Sequence, residues 1–296
     1  MKTLKYIWTL ILISACIDEV PYASDNLQPN ALVVHSFINP DSAIKFDIAR
    51  VSNISEPYKW ISDAQVSLKR KTGVENFFNF KSDGQYVGNV TVVPNDSLKI
   101  KIGHALFNGE ILVKVPSKVK ITRVDTMSML VGSVGKTKAF KIHFKDSAYN
   151  KNYYRIFGIK TFKKYIFNGL GQKVDSTFIN ERMSIGSSDI QITRNIYNTY
   201  TTKELLFSDE ISNGIFNRIL IYETYNRQSV KDIVLYKTEI YLENISEEMY
   251  VYLNSRNAHI WQQSSITQLP TQVLGNLKSA FGVIGTYTSD KYIISN

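Results

Sequence analysis

Phe140-Lys141-Ile142-His143-Phe144-Lys145 alternates apolar and polar residues without a break. Alternation with period two sends one set of side chains to each face of an extended strand, one toward a core and one toward water. The pattern recurs on the N-terminal side. Ile44, Phe46 and Ile48 alternate with Lys45, Asp47 and Ala49, Ala64-Gln65-Val66-Ser67-Leu68 alternates again, and Leu98, Ile100 and Ile102 are interleaved with lysines. Residues 31–38 form a strand-like run stopped by Asn39-Pro40, and Asp83-Gly84 marks a turn before Gln85-Tyr86-Val87. Residues 110–115 give one more strand before Pro116. Several short strands at close spacing, with no helical period, predict a small immunoglobulin-like β-sandwich over residues 30–117.

The segment quoted first belongs to a second part, a larger antiparallel β domain expected over residues 118–296. Tyr153-Tyr154-Arg155-Ile156-Phe157 opens a long strand toward Phe167, Asn168-Gly169 signals a tight hairpin, and the returning strand carries Val174, Phe178 and Ile179. Residues 181–205 are weakly patterned and read as long loops. Residues 215–225 and 232–242 read as two further strands. One helix is predicted near 246–262: Ser246 is its candidate N-cap, and Glu247 and Glu248 suit the positive end of the helix dipole. Met249, Tyr250, Leu253, Ile260 and Trp261 fall at helical spacing and are expected to form a core stripe. Apolar residues persist from Phe281 to Ile294, which predicts a paired strand closing the larger domain rather than a frayed tail.

Composition agrees with a folded, strand-rich chain. The sequence is 44% hydrophobic and 21% charged, with 18 Tyr and 15 Phe, residue types that favour strands. The formal charge is +9. The lysines are spread singly along alternating strands, as in Lys99-Ile100-Lys101, which is a solvated face and not a nucleic-acid-binding patch. With a single cysteine there are no disulfides, so stability is expected to rest on the core.

That cysteine is Cys16. Lys2 and Lys5 precede an apolar run, Tyr6 to Ile13, followed by Ser14 and Ala15, in the order of a secretory signal peptide: basic end, short apolar stretch, small-residue cleavage site. The run is shorter than the roughly 20 residues a membrane-spanning helix needs. Ile13-Ser14-Ala15-Cys16 resembles a bacterial lipobox. The resemblance implies a signal peptide over 1–15, lipidation of Cys16, and a tether over 16–29. Asp18 and Glu19, just behind the cysteine, resemble the signal that sends lipoproteins to the cell surface in some Gram-negative bacteria. The expected location is therefore the outer membrane, lipid-anchored and facing outward.

Motifs for chemistry are missing. None of the four histidines has a second at ligand spacing, and no cofactor or metal is expected. Gly132-Ser133-Val134-Gly135-Lys136-Thr137 ends like a phosphate loop, but Leu130 stands where that motif needs its first glycine, so a hairpin loop is expected. No nucleophile elbow is present. The carboxylates Asp209-Glu210 and Glu247-Glu248 are adjacent pairs that a loop and a helix start explain. A carboxylate-based hydrolase would need two acids converging from distant positions, and the chain is not expected to be an enzyme.

Taken in order, the segments resemble the exported lipoprotein family known as domain of unknown function 4249. Leu32-Val33-Val34 with Phe37-Ile38 is similar to the family's opening strand. Ile61-Ser62-Asp63-Ala64-Gln65-Val66 and Gly84-Gln85-Tyr86 are similar to its next strand and turn, an order that also resembles prealbumin-like domains. Phe144-Lys145-Asp146 followed by Asn152-Tyr153-Tyr154-Arg155 resembles its central segment, Phe207-Ser208-Asp209-Glu210 with Asn213-Gly214 its aspartate and Asn-Gly loop, and Pro270, Val273, Asn276 with residues 281–287 its closing motif. Two positions depart from the family pattern: Ala280 where Gly is usual, and Ile284 where Phe is usual. Tyr153, Tyr154, Arg155, Asp209, Gly214, Asn276, Gly282 and Gly285 are the motif residues, and their roles read as structural. Gly282 and Gly285 suit a bulge or close backbone approach, Tyr153 and Tyr154 lie on opposite strand faces, and Asp209 suits a hydrogen bond within its own loop. The resemblance implies a surface lipoprotein working beside a TonB-dependent outer-membrane transporter, as a lid-like or ligand-binding accessory in nutrient uptake. The ligand would be a peptide, a glycan or a metal chelate. The alternative is a structural or assembly lipoprotein of an outer-membrane complex that captures no ligand.

Overall fold

The computed structural model describes residues 31–51, 59–132, 134–146, 151–195, 198, 203–210, 216–225, 232–263 and 272–295. Cys16, the tether, Gly214 and Pro270 lie outside them. The first eight strands are β1 (Leu32–Ile38), β2 (Ile44–Arg50), β3 (Lys59–Trp60), β4 (Gln65–Arg70), β5 (Glu75–Ser82), β6 (Gln85–Gly88), β7 (Ser97–His104) and β8 (Phe107–Lys114). Then come β9 (Ile121–Val131), β10 (Gly135–Lys145), β11 (Tyr153–Phe167), β12 (Lys173–Arg182), β13 (Ile185–Ser187), a short helix α1 (Ile190–Thr193), β14 (Leu205–Ser208), β15 (Phe216–Glu223) and β16 (Ile233–Ile245). Helix α2 (Glu247–Gln263) and strand β17 (Phe281–Ser295) close the chain. The molecule is mostly β, built from large, mainly antiparallel sheets with one substantial C-terminal helix.

The larger sheet runs β12-β11-β16-β17-β1-β2-β6-β5-β4-β7-β8, with β14 added beside β11 and β3 beside β2. The smaller runs β13-β15-β10-β9. Alternation explains which faces are dry. Phe140, Ile142 and Phe144 are fully buried, and so are Leu98, Ile100 and Ile102. Inward residues of β1, β2 and β6 meet those of β4, β7 and β8 in one cluster, a sandwich-like core. A second cluster fills the space between the small sheet and the inner face of β11, β14 and β16. The turn joining β9 to β10 holds the glycine-rich stretch that ends like a phosphate loop, with Gly135 at φ +79°.

Strand β17 is paired along its length, and it joins the N-terminal sheet as well as the larger part. Its first half pairs in parallel with β1, from Val33↔Phe281 to Ile38↔Thr286, and its second half pairs antiparallel with β16, from Ile245↔Tyr287 to Lys237↔Ser295. One strand therefore carries the sheet from one core into the other, and Ile284 belongs to the N-terminal core.

Helix α2 packs on the outer face of the sheet, where Met249 and Leu253 join Tyr153, Leu206 and Ile245. Ser246 caps it, accepting from Met249 N–H at 3.4 Å, and its own N–H donates to the Thr286 carbonyl at 2.8 Å. The expected apolar stripe holds only for the first turns. Ile260 is exposed, while Ser255, Asn257 and Ala258 are buried. In the second half of the helix Ser255 Oγ accepts from Leu274 N–H at 2.8 Å, so a polar contact stands where an apolar one was expected.

The β11–β12 turn also differs from the two-residue hairpin expected at Asn168-Gly169. Five residues, 168–172, connect the strands. The Asn168 side chain accepts from the N–H groups of Leu170 (3.0 Å) and Gln172 (2.9 Å), and the left-handed residue is Gly171, at φ +75°.

Candidate functional site

Several motif residues meet at the start of β11. Here β14 pairs on one side (Tyr153↔Ser208) and β16 on the other (Tyr153↔Ile245). Consecutive side chains go to opposite faces. Tyr154 enters the core between the sheets, stacked on Phe207 with ring centroids 5.1 Å apart. Its hydroxyl donates to Asp146 Oδ1 at 2.6 Å, and burial together with that carboxylate pushes the phenol far above its ordinary pKa. Tyr153 lies under α2, its ring 4.7 Å from Tyr250 and its hydroxyl donating to Glu247 Oε1 at 2.8 Å.

Asn152 ties two buried carboxylates together. Its Nδ2 donates to Asp146 Oδ1 (2.8 Å) and Asp209 Oδ2 (3.1 Å), and its backbone N–H donates to Asp209 Oδ1 (2.9 Å). Asp209 N–H returns a bond to the Asn152 carbonyl at 3.1 Å. Asp209 is 1% exposed. Burial and the neighbouring Asp146 push its carboxyl up to about 6, against the pull of the Asn152 donors. The described partners of Asp209 thus lie at Asn152 and Asp146, and not in its own loop, most of which lies outside the described residues.

Arg155 continues the outer face. Its Nε and Nη2 both reach Glu243 Oε2, at 2.6 and 2.5 Å, across the β11–β16 pair. Glu204 joins the group, at 3.7 Å from Arg155, 3.3 Å from Arg182 and 2.6 Å from Arg256. The Arg182 guanidinium lies 3.7 Å from the centroid of the Phe157 ring, which stacks on Tyr241. Burial pushes the Glu243 carboxyl up while Arg155 opposes it, and burial lowers Arg182. Three guanidiniums face two carboxylates, so the patch is net cationic.

Two clefts border these groups. One of about 290 Å³ lies where the two cores meet, lined by Lys114, Ser117, Lys151, Asn152, Tyr153, Asn244 and the start of α2. Asn244 Nδ2 donates to the Ser117 carbonyl at 3.0 Å beside it. The other, of about 220 Å³, sits at the end of the second core. There Lys160 Nζ donates to Glu223 Oε2 at 2.6 Å, with Phe162 and Tyr225 in the walls. Among the described residues no group of three or more His, Cys, Asp or Glu is placed to hold a metal ion.

The remaining motif residues lie along β17. The Asn276 side chain brackets Ile284, donating to its carbonyl at 2.8 Å and accepting from its N–H at 3.0 Å. Gly282 has φ +99°, and a Cβ there would stand 1.9 Å from the Val34 carbonyl oxygen. A Cβ on Gly285 would meet Met249 Cβ at 2.7 Å. Sequence reasoning quoted Asp146 and Asn152 only as part of a segment, and it missed Glu204, Glu243, Arg182, Arg256 and the Lys160–Glu223 pair. The one available signal was Asn152 itself, the polar residue directly before the Tyr-Tyr pair.

Fold and site together define a mainly β protein whose motif residues build a polar junction between two cores. The chain belongs to the family described as Domain of unknown function (DUF4249), whose model matches residues 17–293. No curated protein matches it. Among solved structures, a DUF4785 family protein from Legionella pneumophila is similar at 9% identity over 71% of this chain, with a TM-score of 0.23. This chain spans about half (51%) of that structure.

Proposed function

We propose that the protein is an outer-membrane lipoprotein, held by acyl chains on Cys16 and displayed at the cell surface, that acts as a ligand-binding or lid-like partner of a TonB-dependent transporter. The observation that carries this reading is the placement of Cys16, the sole cysteine, directly behind Ile13-Ser14-Ala15. Residues 16–29 would then be the tether. Among the described residues no helix is long and apolar enough to cross a membrane. The transporter partnership rests on the family resemblance alone. The junction cleft, walled by amide, hydroxyl, carboxylate and lysine groups, suits a hydrogen-bonding ligand such as a peptide or glycan.

The structural or assembly role remains the second reading: the cleft beside Lys160 and Glu223, about 220 Å³, is smaller than drug-sized ligand pockets, while the junction cleft, about 290 Å³, lies at their lower edge of roughly 300 Å³. Catalysis is not part of the proposal. Asp146 and Asp209 converge, but they are buried and bonded to Asn152 and Tyr154.

The test is fractionation of the Cys16→Ser variant, followed by pull-down of the parent from detergent-solubilised outer membranes. The variant is expected to leave the membrane fraction, and the parent to bring down a barrel of the transporter class. A variant as firmly membrane-bound as the parent would sink the anchor. A parent that co-purifies only with other assembly factors would favour the second reading.

A further inference from the structure

The outer half of the β11–β12 hairpin is apolar on both of its faces. β11 pairs with β16 as far as Lys164↔Ile233, and Tyr165 N–H still donates to the Asp232 carbonyl at 2.9 Å; beyond Tyr165, among the described residues, β11 pairs only with β12. Phe178 pairs with Lys163 and so shares its face, while Ile166, three residues on in the regular part of the ladder, lies on the opposite face; Ile166 and Phe167, at a bulge in the pairing, are 39% and 38% exposed. Leu170, at the apex, is 83% exposed, and Val174 and Phe178 on the return are more than half exposed. The apex has a fixed shape, since Asn168 accepts two backbone N–H groups across it.

Charge follows the apolar residues. Between Lys163 and Phe178 the sequence has Lys163, Lys164 and Lys173 against the single acid Asp175. Lys163 and Lys164 also point to opposite faces, so each face has an ammonium group. Lys173 Nζ lies 4.0 Å from the Tyr165 ring centroid. Lys164 stands three strand residues behind Phe167, roughly 10 Å at about 3.3 Å per residue.

We propose that this hairpin tip is a membrane-contacting element that seats in the interface of an anionic bilayer. Apolar residues at the tip with lysines on both faces behind them match the layering of a lipid interface, acyl chains below and anionic headgroups above, and this complementarity commits the surface to a membrane. The lysines complement anionic headgroups and extend back to that level while Leu170, Phe167 and Ile166 enter the acyl boundary. Tyr165 sits at the depth where amphipathic rings favour the interface. The inference does not depend on Cys16: it gives the fold a second hold on the membrane, which fixes its orientation where a leash alone does not.

The experiment uses the chain from residue 17 onward, which retains every described residue and lacks the cysteine. Flotation is measured with phosphatidylcholine vesicles and with vesicles containing phosphatidylglycerol, at low and high salt. Binding to the anionic vesicles is expected, weakened at least tenfold by Leu170→Asp and by the joint change Lys164→Gln, Lys173→Gln, and reduced by salt. Leu170→Trp should show a blue-shifted emission with anionic vesicles that brominated acyl chains quench. Leu170 is exposed, so an unchanged melting temperature checks that the variants fold. No binding, binding equal in the Leu170→Asp variant, or an emission of the Leu170→Trp variant unmoved by vesicles would each overturn the proposal. Vesicle binding without membrane retention of the full chain in cells would leave this inference standing and sink the Cys16 anchor instead.

Discussion

Gly285 lies directly beneath Met249. A Cβ at Gly285 would stand 2.7 Å from Met249 Cβ and 3.3 Å from its Cα, so the absent side chain is what lets the first turn of α2 rest on β17. The helix start is pinned to the same place by the bond from Ser246 N–H to the Thr286 carbonyl. Gly285→Val is therefore expected to lift the helix or bend the strand and destabilise by roughly 1–3 kcal/mol, the usual range for overpacking. Gly285→Ala should do so less. Urea unfolding of both variants checks this, and a valine variant as stable as the parent would show that the helix does not need this approach.

Asp209 makes stability depend on pH in an unusual direction. Its folded pKa, about 6, stands above the ordinary carboxyl value of about 3.9. Folding therefore favours the protonated form. This stabilisation is fully present below about pH 4 and lost as pH rises through about 6. In Asp209→Asn the amide carbonyl replaces Oδ1 as acceptor for Asn152 N–H, and the NH₂ at the Oδ2 position donates toward Asp146 but no longer accepts from Asn152 Nδ2, so the variant starts from a lower stability while losing the titration. Between about pH 5 and about pH 7.5 the parent should lose stability relative to the variant, by at least ~1 kcal/mol, one pKa unit being ~1.4 kcal/mol. His35, whose pKa burial lowers, is common to both proteins. A difference curve flat across that window would show that Asp209 is ionised throughout.

The Arg155–Glu243 pair predicts asymmetric consequences of mutation. Both groups are mostly buried and joined by two short contacts. Arg155→Ala strands a carboxylate whose side chain is 5% exposed, a change expected to destabilise by about 3–5 kcal/mol. Replacing both, as Arg155→Met with Glu243→Leu, removes the stranded charge and should recover much of that loss. Arg182 and Glu204 lie close by, so the recovery will be incomplete. The double-mutant cycle measures it. A double variant no better than Arg155→Ala would mean that the pair does not act as a unit.

These contacts also mark what the sequence makes legible. Period-two alternation exposes strands such as Phe140–Phe144 because burial on one face is written locally. The helix start is readable for the same reason, since Ser246, Glu247 and Glu248 act within one turn. The parallel pairing of β1 with β17 has no local signal: no turn joins strands from opposite ends of the chain, and only the register shows that Phe37 meets Gly285. Asp146, Asn152 and Asp209 look like loop residues in sequence. Their function as a unit appears only when the start of β11 comes to lie beside the end of β14. Ile260 misled because helical spacing records which residues share a face, not what lies opposite that face.

The last prediction concerns Asn276. In the stretch where β17 pairs with β1, Ile284 and Thr286 turn their N–H and C=O groups to the opposite side. Strand β16 reaches only as far as Tyr287, because the chain turns into α2 after Ile245. Thr286 is served by Ser246, whose N–H and Oγ bond its C=O and N–H. Ile284 is served by the Asn276 amide, whose donor and acceptor replace a missing strand partner. A terminal amide holds a donor and an acceptor side by side, the spacing that a backbone N–H and C=O of one residue require, which suits the motif asparagine eight residues before a buried isoleucine. Asn276→Ala leaves two backbone groups of a fully buried residue without partners, a loss of roughly 1–3 kcal/mol for each group that water does not reach. The parent's Ile284 amide is expected to exchange hydrogen only through global unfolding, and the variant's through local opening of this stretch of β17. Native-state hydrogen exchange read at Ile284 decides the matter, and protection there that survives Asn276→Ala would show that the strand is held without the bracket.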